Sequence, residues 1–525
     1  MSTDDVQCRC CPQCSAEPTS EIQLDLSRRQ FVAMGGVLVG GLTLMGLQGN
    51  LFAAEGDHTV PMPKPRKPLV VKPILMHDLP TPREATSWRN WGGIHSREAA
   101  QEEVGRIRSE LNGLKAKADY PIAFLELVTA TSVDQLNGNA DIAACDVILF
   151  YGAGHSINGI QNFGKDVIVF QRWKSGPVYL QYEIVSPRFL RQHTDEAAVA
   201  NIRNEDVVTD NVKELDWRFR ALCGLKNTMG SKIVTIGGAG AWASPGLNVP
   251  ENVKKIWGFE YHDVNYDDLS KLIDEAKADA AVMARAKKRA VSYLKLPGTK
   301  LETGMDFFVN SFVLDEIFRL LMKQVDTRLI TVNSCMGAII PRSKTTACYT
   351  LTTLNDDDYL AFCESDFCAI PGGVLLGNIT GKPVFLCNPT FPHDNIITVA
   401  HCTAPRKMDG KKLNPVRIVT HYESDYGAAP WVKAPLGTVT THIAAGFRSE
   451  RWVGIKGKIV DVPFRPICRT QYDIQYNVPD RLLADRMPGF HWMTCYGDYR
   501  KEIGYALRRT GIQWDNLDEV PVKEA

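Results

Sequence analysis

The sequence predicts an α/β fold: two doubly wound parallel-sheet domains followed by a β-barrel-like C-terminal domain. Two patterns predict it. Between residues 71 and 350, apolar runs of strand length alternate with helical periods, as in parallel sheets covered on both faces. Between about 410 and 490, short alternating segments are broken by turn residues with little helical period, which reads as an antiparallel barrel or sandwich. Composition is compatible: 525 residues, 44% hydrophobic and 23% charged, exclude a largely disordered, collagen-like or coiled-coil chain. Lys and Arg number 60, as do Asp and Glu, so a nucleic-acid or anionic-membrane partner has no electrostatic case.

Residues 1–54 read as an N-terminal extension and export signal. Ser27-Arg28-Arg29-Gln30-Phe31 precedes a glycine-rich apolar run, Val32 to Leu47, and then the small residues Ala53 and Ala54. As a helix that run spans about 24 Å, short of a hydrocarbon core of roughly 30 Å. The arrangement resembles the twin-arginine signal, which carries proteins already folded. The expected location is periplasmic or extracellular, with no stable membrane span after processing. Cys8, Cys10, Cys11 and Cys14 precede the arginines. Their CxCCxxC spacing lacks the second pair of a zinc finger, and they are expected to have no role in the mature chain. The other cysteines are irregularly spaced and do not read as a disulfide scaffold.

Residues 55–70 are rich in Pro, Lys and Gly and read as a linker. The first α/β domain is expected over 71–228. Its amphipathic helix from Ser96 to Leu114 carries Val104, Ile107, Leu111 and Leu114, and its strands lie at Ile122–Leu127, Val147–Tyr151 and Val167–Phe170. The second is expected over 229–405, with strands at Lys232–Ile236 and Leu329–Val332 and helices at Asp267–Ala276 and Asp306–Met322. Residues 406–525 are expected to be β-rich, closing with a helix from Asp498 to Arg509.

Two glycine loops follow strands: Gly152-Ala153-Gly154-His155 and Gly237-Gly238-Ala239-Gly240. Neither is a dinucleotide fingerprint. Both read as sharp turns at the carboxyl ends of sheet strands, where ligands gather in open α/β sheets.

The chemistry concentrates between 354 and 405 and near 491. Glu364 and Asp366 lie in CESDF, Asn388 follows an apolar strand at Val384–Leu386, and His401 follows one at Ile396–Ala400. His491 and Trp492 precede an apparent turn in GFHWMTCYGDYRKE. A carboxylate, an amide and two imidazoles, brought together, suit a divalent metal with open positions. Such a metal polarises a carbonyl while a carboxylate moves the neighbouring proton.

The stretch 351–405, the segment 416–460 with ESDYGAAP and PLGTVTTHIAAG, and the closing GFHW…YGDYRKEIGYAL resemble the fucose isomerase-like superfamily, which includes the arabinose isomerases. The resemblance covers the C-terminal third by motif and residues 71–350 by layout alone. It implies a metal-dependent sugar isomerase-like enzyme acting through an ene-diolate, with Mn2+ as cofactor and a small-molecule sugar as substrate. It also implies a homo-oligomer. By the match, Glu364 inherits a ligand and acid/base role and His491 the late ligand. The family's second carboxylate falls at Asn388, giving Glu364, Asn388 and His491 as the metal set. Asn cannot cycle a proton, so Asp366, Asp394 and His401 are the candidates for the second acid/base, with Asp366 and His401 carried as catalytic beside Glu364. Asn388, Arg469 and Trp492 are the expected substrate contacts.

Cys363, Cys368, Cys387 and Cys402 are expected to fill core rather than to form a zinc–thiolate site with His401. The run Asp356, Asp357, Asp358 is expected to be a solvated helix start. Two readings compete with the isomerase: a non-catalytic exported carbohydrate-binding protein, favoured by the missing carboxylate, and a structural subunit. The same enolate chemistry on an oxidised glycoside would make a lyase.

Overall fold

The structure is a computed structural model. It describes residues 60–519 apart from 80, 82–83, 86–92, 155–156, 158, 180–201, 243–246 and 447–449. The twin-arginine segment, Cys8, Cys10, Cys11, Cys14 and His155 lie outside the described residues. The described chain divides into two compact units, one of residues 66–226 and one of residues 227–525 together with the segment up to Pro65.

In the first unit the strands are β1 (Leu69–Met76), β2 (Ile122–Phe124), β3 (Val128–Ala130), β4 (Val147–Gly152), β5 (Asp166–Gln171) and β6 (Val207–Thr209). They pair in parallel in the order β2-β1-β4-β5-β6, and β3 also pairs with β1. Ile74, Ile148, Phe150 and Val169 form the core of this sheet. The expected amphipathic helix runs Arg97–Lys117. It starts where the Ser96 Oγ accepts from Ala99 N, and it buries Ile107, Leu111 and Leu114. Its Glu103 and Glu110 pair with the fully buried Arg172 at the end of β5.

In the second unit the strands are β7 (Lys232–Ile236), β8 (Glu260–Val264), β9 (Thr299–Leu301), β10 (Leu329–Val332), β11 (Leu360–Cys363), β12 (Phe385–Pro389), β13 (Ile396–His401), β14 (Val416–Val419), β15 (Ala429–Val432), β16 (Val439–Ala445), β17 (Arg451–Asp461), β18 (Thr470–Tyr476), β19 (Trp492–Tyr496) and β20 (Gln513–Asn516). A parallel sheet has the order β11-β10-β7-β8. Six antiparallel strands, β16-β19-β12-β13-β18-β17, close into a barrel through the β16–β17 pairing, and β20 lies parallel to β17. A small sheet, β15-β14-β9, completes the unit.

The barrel takes its first two strands from residues 385–401, ahead of the expected boundary at 405. Their partners β18 and β19 lie far along the chain, so pairing is invisible in local sequence. The helix Ile370–Thr380 is buried along its whole length. Its glycines let strands approach: a Cβ at Gly373 would sit 2.7 Å from the Phe362 ring and 2.8 Å from the Met493 sulfur.

The acidic run is not a solvated helix start. It ends the helix Cys348–Asp356. Asp356 is buried and accepts from the backbone N–H groups of Arg406 and Lys407, while Asp357 binds the buried Arg319. The backbone donors of a following loop made burial affordable there. Arg319 also holds Asp315, which Arg289 contacts as well. No helix among the described residues is long and apolar enough to cross a membrane.

Candidate functional site

Three parallel strands of the second unit, β7, β10 and β11, send the loops at their carboxyl ends to one cavity of about 320 Å³. This is the position where open parallel sheets bind ligands. The loop after β7 brings Gly240, Ala241 and Trp242, and the turn after β10 brings Asn333 to Met336. Glu364 follows β11 directly. The barrel supplies Asn388 from β12 and His401 from β13, and the segment after β14 of the small sheet brings His421, Tyr422 and Glu423. Cys468 and Phe490 come from the segments leading into β18 and β19.

The backbone here is unusual. Glu364 and Ser365 both adopt positive φ, +66° and +49°, as does Ser334 at +42°. Non-glycine residues in this region cost about 1–3 kcal/mol each and persist only where neighbours over-determine them. The second glycine loop does this. Gly240 N donates to Ser365 O at 3.1 Å, Phe367 N donates to Gly240 O at 3.0 Å, and the Ser365 hydroxyl donates to Gly238 O at 2.8 Å. At Gly237 (φ +78°) a Cβ would fall on the Tyr266 hydroxyl, so no other residue fits.

Two imidazoles flank Glu364. His491 Nε2 lies 3.0 Å from one carboxylate oxygen and His401 Nε2 lies 3.5 Å from the other. Each ring is tied at its other nitrogen: His491 Nδ1 to Asp366 Oδ2 at 2.7 Å, and His401 Nδ1 to the Thr403 hydroxyl at 2.9 Å. Asp366 is buried, and its second oxygen accepts from Cys368 N at 3.1 Å. Burial opposes charge on His491, but Glu364 and then Asp366 hold its imidazolium, raising it to about 10. Burial likewise favours a neutral Glu364, yet His491 and His401 outweigh it and keep that carboxyl well below the usual range. Ligand atoms of Cys363, Glu364 and His401 lie within 4.8 Å of one another, close enough for a metal ion. Asn388 Oδ1 and Trp242 Nε1, both from cavity-lining residues, are buried with no hydrogen-bond partner among the described residues.

Of the expected site residues, Glu364, Asn388 and His401 line the cavity, and His491 joins them beside Glu364. Asp366 is placed behind His491 as its hydrogen-bond acceptor, away from the proton-carrier role expected for it. Asp394 lies in the turn between β12 and β13 and does not line the cavity. Arg469 is not at the cavity wall either. Its guanidinium donates to Thr420 O at 2.7 Å and stacks over Tyr422, so it supports a wall residue from behind. Trp492 is buried in β19 within the core, and the aromatics that line the cavity are Trp242, Tyr422 and Phe490. The period of β19 turns Trp492 inward, whereas Trp242 stacks on Phe490 at 4.2 Å and edges onto His491 at 5.4 Å.

Cys368 and Cys387 fill core, as expected. Cys363 and Cys402 line the cavity instead, with Cys335, Cys348 and Cys468. All ten cysteines among the described residues are free thiols. Cys335, His421, Glu423 and Trp242 were missed in sequence, and the signal for them was weak. Each follows a strand end, in NSCMG, THYES and GAGAW. No protein-family model and no curated protein matches the chain.

Proposed function

We propose that the chain is a metal-dependent, sugar isomerase-like enzyme that moves a proton on the carbon next to a carbonyl of a monosaccharide or sugar derivative. The observation that carries this reading is the pair of imidazoles: each has Nδ1 engaged by a polar side chain and Nε2 beside the same carboxylate. Metal-ligating histidines are oriented in this manner.

Glu364, His401 and His491 would hold a divalent cation such as Mn2+, with the unpartnered Asn388 oxygen as a further donor. When bound, such a cation polarises a carbonyl and favours loss of the adjacent proton. Glu364, ionised between its imidazoles, accepts and returns that proton. Asp366 keeps the His491 ring in one orientation through Nδ1. Glu423 is the other carboxylate of the cavity and takes the second acid/base role that Asn388 cannot perform. The stacked Trp242 and Phe490 exclude water on one side and offer a ring face to sugar C–H groups. Trp242 Nε1 provides a donor for a substrate hydroxyl. On a glycoside oxidised beside its glycosidic bond, the same proton removal leads to elimination. We place this chemistry outside the cytoplasm, in a homo-oligomer, without nucleic-acid partners.

The test is exchange of solvent deuterium into aldoses and ketoses at the carbon beside the carbonyl, with Mn2+ present. Exchange is expected, and Glu364→Gln should slow it by about 10²–10⁴-fold with the fold intact. Full exchange in Glu364→Gln refutes the role of Glu364. Tight alditol binding by the native chain with no exchange makes it a binding protein, the reading that Asn388 in place of a carboxylate favours.

A further inference from the structure

One thiol of the cavity wall stands apart by the company it keeps. Cys363 is the last residue of β11, and Glu364 follows it directly. The Cys363 Sγ, a carboxylate oxygen of Glu364 and a ring nitrogen of His401 all lie within 4.8 Å of one another. Among the described residues, no other three donors drawn from His, Cys, Asp and Glu come so close together. Cys363 and His401 are buried and Glu364 is half-buried, so the group opens to the cavity on the carboxylate side.

The local backbone explains how two adjacent residues serve one point. Along a strand, successive side chains face opposite sides. Phe362 turns its ring to Gly373 of the helix Ile370–Thr380, and Cys363 therefore faces away from that helix, to the cavity. A regular continuation would carry Glu364 back to the Phe362 side. The left-handed conformation of Glu364 (φ +66°) and Ser365 (φ +49°) breaks the alternation, and the carboxylate lines the same cavity as the thiol. Strain of this kind is found at ligand clamps. A cysteine that only filled core would have no use for a carboxylate turned onto it, and Cys368 and Cys387 fill core away from the cavity. His401 has Nδ1 committed to the Thr403 hydroxyl, which leaves Nε2 on the Glu364 side, 3.5 Å from its oxygen. His491 is buried, and its Nε2 lies 3.0 Å from the other oxygen without the alignment of a hydrogen bond, so that nitrogen is open to a ligand.

We propose that Cys363, as a thiolate, joins Glu364 and His401 as a ligand of the cation in this cavity, and that this donor set selects Zn2+ over Mn2+. The proposal rests on the reading above that the cavity holds a divalent cation, and it changes which cation that is. Carboxylate and imidazole alone accept Mn2+, whereas a thiolate favours Zn2+, which also outranks Mn2+ for mixed N, O and S donors. Three protein donors leave a further position open, the make-up of catalytic zinc sites. As the metal–sulfur bond forms, the Cys363 S–H proton passes to solvent and no electron is transferred. Cys363 is thereby the residue that sets the ion preference, while Glu364 remains the proton carrier.

Co2+ is the probe that stands in for Zn2+, titrated into the reduced, metal-free full chain. One equivalent is expected to bring up the ultraviolet sulfur-to-cobalt charge-transfer band, and added Zn2+ to bleach it. Cys363→Ser should abolish the band and lower Zn2+ affinity by more than about tenfold, since loss of even an outer partner of a ligand costs about 10–100-fold. Mn2+ affinity, read by electron paramagnetic resonance, should change far less in that variant, which also reports that it is folded. Mn2+ binding that is lost in Glu364→Gln, with no cobalt–sulfur band in the native chain, overturns the thiolate ligand and leaves the cation reading standing. So does a preference for Zn2+ over Mn2+ that is the same in the native chain and in Cys363→Ser. A band that survives Cys363→Ser belongs to another thiol and also overturns the proposal. If Co2+, Zn2+ and Mn2+ all fail to bind the native chain, the cation reading falls and the proposal with it.

Discussion

Replacing Asp366 with asparagine separates a positioning role from a structural one. Asp366 is about 1% exposed, and its two oxygens have distinct tasks: one faces His491 Nδ1 at 2.7 Å, the other accepts from Cys368 N at 3.1 Å. Asparagine has the same shape, so packing is retained. Its amide offers one acceptor and one donor, and the donor must then face either the Cys368 N–H or the His491 N–H. The charge-assisted bond to His491, about 1.5–3 kcal/mol, is reduced to a neutral one of about 0.5–1.5 kcal/mol or lost. That difference corresponds to a loss of about 10–100-fold in Mn2+ affinity, the range for removing a carboxylate behind a metal-bound histidine. The imidazolium of His491, held up to about 10 by Glu364 and Asp366 against burial, should fall towards its ordinary value. Its sign follows from linkage: the raised value contributes stability that is complete below about 6.5 and is lost as pH rises through about 10. Electron paramagnetic resonance titration reads the affinity, and imidazole nitrogen NMR reads the proton. If Mn2+ affinity is unchanged while the His491 proton is demonstrably looser, Asp366 does not position a ligand and the metal reading loses its support.

Other outcomes are expected elsewhere. Gly373→Ala should destabilise by about 1–3 kcal/mol in thermal melting, because crowding against Phe362 and Met493 outweighs the alanine's helix preference of about 1 kcal/mol. Arg319→Met should cost about 3–5 kcal/mol by leaving the buried Asp315 short of a partner, and Asp315→Leu in the same chain should restore most of it. Burial alone would raise Asp315, but Arg289 and Arg319 bring it down to about 2; this contribution is present above about 3.8 and lost as pH falls through about 2. Asp356 is pushed up to about 7 by burial, against the two backbone donors, so its contribution is complete below about 3.8 and lost as pH rises through about 7. Asp356→Asn keeps an acceptor for those donors and should stabilise the chain by a few kcal/mol in denaturant titrations above neutrality.

The α/β layers were legible because their signals are local. Lys232–Ile236 and Leu329–Val332 are short runs rich in β-branched residues, and they became β7 and β10 with the same bounds. The helix from Ser96 carried its cap and its spacing on the surface of the sequence. A closed barrel was also within reach from the short alternating segments, but its membership was not. β12 and β13 look like the end of an α/β domain until their partners are known, and those partners are remote. Glu364, His401 and His491 were identifiable by residue type next to strand ends, and the structure places them together. Asp366 was misread because a carboxylate two residues from Glu364 gives no sign of which way it faces; the positive φ at Glu364 and Ser365 sets that. Trp492 was expected at the substrate and lies in the core, whereas Trp242, which edges onto His491 at 5.4 Å, comes from a loop far away in sequence and was not considered.

His491 stands 125 positions after its partner Asp366, and it arrives only when the strand that follows it, β19, enters between β16 and β12. Contacts of such long sequence separation tend to form late and slowly. Until that moment a nascent chain offers any captured ion a thiol, a carboxylate and one imidazole at most, an incomplete grip that exchanges freely. Under the proposed metal reading, ion choice would be governed by conditions at the final closure of the polypeptide and not by those met at the ribosome. A chain stalled with an open barrel would emerge inert even though Glu364 and His401 were already in place.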